Sequence, residues 1–84
     1  MVTFRLTIEQ FRLLLQVVLA TDAPDDLANL VLMACKRPRD GIVAVPVPED
    51  DARALIRLVR EMACVDDRCQ ELVRLMGRQT GVQP

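Results

Sequence analysis

Hydrophobic and polar positions change period three times along this chain. From Val2 to Thr7 the apolar residues Val2, Phe4 and Leu6 alternate with polar ones, the period of a half-buried strand. Thr7 then stands three residues before Gln10, a capping-box spacing that opens a helix. Phe11, Leu14, Leu15 and Val18 form one helical stripe, which Thr21-Asp22-Ala23-Pro24 interrupts. Asp25 and Asp26 suit a second helix start, and Leu27, Leu30, Val31 and Ala34 repeat the stripe. After a turn at Arg37-Pro38-Arg39-Asp40-Gly41 the scheme recurs. Ile42 to Val47 predicts a second short strand, confined by Pro46 to an edge or bulge. Pro48 suits the first turn of a helix with the stripe Ala52, Leu55, Ile56 and Val59. Asp66 and Asp67 open the last helix, whose stripe is Cys69, Leu72, Val73 and Met76, with Gly77 as its C-cap.

The pattern predicts a mainly α protein in the order βααβαα: a duplicated strand-helix-helix, four helices with a short two-stranded ribbon. Residues 1–84 form one domain of two repeats, 2–36 and 42–78. The turn 37–41 joins them, and 79–84 is a frayed tail. A plain four-helix bundle carrying a small ribbon is the alternative. With 84 residues the core is modest, and oligomerisation helps chains of this size.

The strand-to-helix steps are Arg5-Leu6-Thr7-Ile8-Glu9-Gln10 and Val45-Pro46-Val47-Pro48-Glu49-Asp50. A short strand running into a helix through such a step, followed by a second helix, resembles the ribbon-helix-helix family. The resemblance implies antiparallel pairing of two strands, four helices around one core, and a ribbon that reads the DNA major groove. A tandem chain could supply both strands, or each could pair with a strand of another chain. In the DNA reading Thr3 and Arg5 face the groove, and Arg37 and Arg39 meet phosphates. The chain would then be a repressor or antitoxin.

The residues themselves argue against nucleic acid. With Val43, Val45 and Val47 inward, the second strand turns Ala44 and Pro46 outward, and neither makes the paired hydrogen bonds that distinguish bases. The Asp pairs bring carboxylates to the helix starts where phosphate would bind. The net charge of −1 gives no global attraction to polyanions.

Catalysis lacks its parts. The chain has no histidine and no serine, and Gly41, Gly77 and Gly81 are isolated, so no phosphate loop is present. Glu49-Asp50-Asp51 reads as helix-start charge and not as a metal site, because consecutive carboxylates on one turn diverge. Cys35, Cys64 and Cys69 have no Cys-x-x-Cys spacing and no histidine to complete a zinc site. They read as buried, reduced thiols, with an intermolecular disulfide or an adventitious redox site as the alternatives. No cofactor, small-molecule ligand or membrane span is expected. The opening residues lack a basic stretch followed by a long apolar run, so a cytoplasmic protein is expected.

The two repeats differ on their outer surfaces. Opposite the stripes of the second lie Arg57, Arg60, Glu61 and Arg74. The matching positions of the first are Gln16, Leu19, Ala20 and, with one residue of slippage, Leu32. Helices apolar on nearly every side need burial on nearly every side. The sequence therefore predicts a non-catalytic interaction or small regulatory protein. It would associate with itself, or bind another protein, through Leu13, Val17, Leu19, Leu32 and Met33.

Overall fold

The computed structural model describes residues 2–21, 23–34 and 39–80. Its elements run β1 (Val2–Thr7), α1 (Ile8–Ala20), α2 (Asp25–Met33), β2 (Ile42–Val47), α3 (Glu49–Met62) and α4 (Asp67–Thr80). This is the expected βααβαα order. The strands pair antiparallel within the one chain, Val2 opposite Val47 through Thr7 opposite Ile42. Phe4, Leu6, Val43, Val45 and Val47 point into the core, while Thr3, Arg5, Ala44 and Pro46 lie exposed on the outer face.

The two halves are interlocked. β1 packs on α4, β2 packs on α2, and α1 packs on α3. Each strand thus shields a helix that follows the other strand in sequence. One core results, holding Phe4, Leu14, Val45, Leu55, Val59 and Leu72.

Antiparallel pairing alternates between residue pairs that exchange both hydrogen bonds and pairs whose N–H and C=O turn outward. Ile42 turns its pair outward: its N–H donates to the Arg39 carbonyl and its carbonyl accepts from Arg39, both at 2.9 Å. By the same alternation Ala44 and Pro46, with their partners Arg5 and Thr3, turn outward too. The missing N–H of Pro46 therefore falls at the free edge and removes no ladder bond. Between Arg39 and Ile42, Asp40 and Gly41 have φ of 53° and 76°, the signs of a type I′ turn. No atom lies within 4 Å of where a Gly41 Cβ would stand. Gly41→Ala meets only backbone strain, and we expect it to cost about 1–2 kcal/mol, measured as a shift in the urea midpoint.

Several local expectations need correcting. Pro48 is the N-cap of α3, one residue before the helix, and not part of its first turn. Pro24 is the N-cap of α2 without a side-chain bond, so Asp25 and Asp26 act on that helix through its dipole. Gly77 lies inside α4, which continues through Gln79 and Thr80, residues expected in the frayed tail. The stripe on α1 is rotated: Val17 and Val18 are buried and Leu15 only partly so.

Two caps hold as expected. The Gln10 N–H donates to Thr7 Oγ1 at 3.2 Å, and the Thr7 N–H donates to Gln10 Oε1 at 2.9 Å. Asp66 Oδ1 accepts from the Arg68 N–H at 3.0 Å, and the Arg68 guanidinium pairs with Asp66 Oδ2 at 2.8 Å. Side-chain and main-chain donation from Arg68 holds the Asp66 carboxyl below its ordinary value of 3.8. A depressed carboxylate pKa stabilises the fold above the unfolded-state value and loses that effect as pH falls through the folded-state value. In an NMR titration the Asp66 midpoint should lie below 3.8 and return toward it in Arg68→Ala. An unmoved midpoint would remove the pair from the account of this helix start.

Candidate functional site

The five residues singled out in the first half of the chain separate into three environments. Val17 is 1% exposed and belongs to the core. That corrects its assignment to an intermolecular surface: the rotation of α1 turns it inward. Leu13 is half-buried against the core. It lines an open groove of about 550 Å³ between α1 and the start of α4, with Leu72 beside it and Arg12, Arg68, Glu9 and Glu71 around it. Leu19, Leu32 and Met33 face outward, at 65%, 44% and 63% exposure.

They stand in stretches of uncharged sequence. From Leu13 to Thr21 and from Leu27 to Ala34 the sequence carries no charged residue, and the exposed polar side chains there are Gln16 and Asn29. In the second half of the chain the positions corresponding to Leu19 and Met33 are the exposed Arg60 and Arg74, and Leu32 meets Arg74 only with one residue of slippage. The core is thus satisfied in both halves, while these exposed positions are apolar in the first and charged in the second. Each helix still gives four residues to the core, Ala52, Leu55, Ile56 and Val59 from α3 and Phe11, Leu14, Val17 and Val18 from the rotated stripe of α1.

On the ribbon, Thr3 and Arg5 share the outer face, opposite Pro46 and Ala44. Arg39 is exposed at the turn beside Ile42. Arg37 and Cys35 lie outside the described residues. Beside Arg5 and Thr3 the outer face carries Thr7, Ile42, Ala44 and Pro46, so Arg5 is its single charge.

Cys69 is buried, as expected, and burial pushes its thiol pKa up. Cys64 is exposed, contrary to the expectation of burial, because it sits in the turn between α3 and α4. A thiol reagent should therefore modify Cys64 in the folded protein and Cys69 only on unfolding. Mass spectrometry of partly labelled protein checks this, and equal rates at the two sites would contradict it. Among the described residues no cluster of metal-ligating side chains forms, and no helix is long and apolar enough to cross a membrane.

Two features escaped the sequence reading. Val65, in the same turn as Cys64, is 81% exposed. Gln79, expected in the frayed tail, bonds the main chain of Arg5. Its signal was indirect: an outward-turned strand residue needs a partner for its N–H and C=O. Comparison with protein-family models, with curated proteins and with solved structures gives no match to this chain.

Proposed function

We propose that this chain is a non-catalytic interaction protein that associates, with itself or with another protein, through the outward-facing helices of its first repeat. The observation that carries the reading is the exposure of Leu19, Leu32 and Met33, which stand in two stretches of sequence without a charged residue. Interface centres are depleted of charge in the same way and enriched in methionine. In the second repeat Arg60 stands at the position of Leu19 and Arg74 at that of Met33, or at that of Leu32 with one residue of slippage, so apolar side chains there are not demanded by the repeat itself. The sequence supports the absence of catalysis, having neither histidine nor serine.

The test is the double variant Leu19→Arg/Leu32→Arg, followed by sedimentation velocity and by capture of a purified partner. It should remain folded and lose the association. If it unfolds, or if the wild type is monomeric at high concentration and binds no protein, the reading fails.

A second reading rests on one specific observation, the antiparallel ribbon with its exposed Thr3 and Arg5. Its topology supports the resemblance to ribbon-helix-helix proteins, and with it a role as a DNA-binding repressor or antitoxin. Ala44 and Pro46 on the same face, and Asp25, Asp26, Asp66 and Asp67 at helix starts, weigh against that role. We expect no sequence-specific footprint on duplex DNA at physiological salt. A footprint lost in Arg5→Ala would reverse the order of the two readings, and a steep salt slope would mark true phosphate contacts.

A further inference from the structure

A strand at the edge of a sheet presents unpaired N–H and C=O groups, a template for another strand. In a two-stranded ribbon both strands are edges. Here the outward-turned residues of β1 are Thr3, Arg5 and Thr7, by the alternation that the Arg39–Ile42 bonds fix on the opposite strand. Thr7 gives its N–H to Gln10. Arg5 is held by the side chain of a residue 74 positions away: its N–H donates to Gln79 Oε1 at 2.6 Å, and its carbonyl accepts from Gln79 Nε2 at 2.8 Å. One primary amide thus meets a donor and an acceptor on the same residue, the bonding that a neighbouring strand would offer.

We propose that Gln79 is a lock on the free edge of β1, closing it to strand addition by a second copy of this chain. With Arg5 and Thr7 occupied, Thr3 is the one outward-turned residue of β1 whose main chain no described residue engages, too little for strand pairing. Once released, β1 can pair antiparallel with β1 of another copy, Thr3 of one opposite Arg5 of the other. That register keeps Phe4 and Leu6 on the core side, so it leaves the inner face intact. The lock sits in the last described turn of α4, where helix ends fray most readily. Opening that turn is therefore the event that would expose the edge. This contact is independent of the apolar helix surface.

The experiment uses the full chain with Gln79→Ala, and with Gln79→Met, which keeps the side-chain length but neither hydrogen bond. Amide exchange at Arg5 should rise about tenfold or more, while Phe4 and Leu6, which bond across the ribbon, stay protected. Sedimentation should show a concentration-dependent species larger than the wild type at equal concentration. Adding Thr3→Pro removes an edge N–H without touching the ladder, as Pro46 does on β2, and should return the variant to the wild-type state. Unchanged exchange at Arg5, no new species, or association that persists with Thr3→Pro would each overturn the proposal. Unfolding of both Gln79 variants would make Gln79 a core support and overturn it as well.

Discussion

Phe4→Ala should lower the stability of this protein by about 3–5 kcal/mol. Phe4 is fully buried on the inner face of β1, and Phe11 is the only other aromatic residue of the chain. A chain of this length holds roughly 4–13 kcal/mol of net stability, so one substitution would remove a large part of it. The cost combines the lost transfer energy of the ring with the cavity it leaves beneath the ribbon. Urea denaturation followed by far-UV circular dichroism measures it. A loss below about 1 kcal/mol would mean that the ring is not enclosed between the ribbon and α4.

Leu14→Ala and Leu55→Ala should each cost about 2–5 kcal/mol, and each should move a single unfolding transition. The two leucines occupy corresponding places on α1 and α3, which pack together, and both are fully buried in the same cluster. Since each strand packs on the helix that follows the other strand, neither half keeps its own core when the other is lost. The decisive measurement is unfolding followed by two probes, amide signals of β1 and amide signals of α3. Separate midpoints in either variant would show that the halves fold as independent units.

What the chain discloses before folding differs from element to element. The first strand was legible because polar and apolar residues alternate cleanly from Val2 to Thr7. The buried face of α3 was legible to the residue, since Arg53, Arg57 and Arg60 mark its outer side. On α1 the same method missed Val17, because eight residues from Leu13 to Ala20 contain only Gln16 as a polar marker. A helix apolar all round gives its period but not its orientation. Leu19 and Leu32 were found by setting the first half of the chain against the second, and Met33 by its place in the same apolar stretch. Gln79 was invisible because its role needs a strand edge brought beside it from the far end of the chain. Gly77 misled for a local reason: glycine after a stripe is a common helix stop, yet it can also continue a helix at modest cost.

The register of the ribbon also sets how this chain must fold. Joining Val2 to Val47 and Thr7 to Ile42 encloses both helices of the first half. That closure costs conformational entropy before any ladder bond repays it. The helical hairpins involve neighbours in sequence and can form early, whereas the strands can meet only late. Refolding should therefore be slower than in a bundle of four helices with short connections. Because both strands belong to one chain, its rate should not change on dilution.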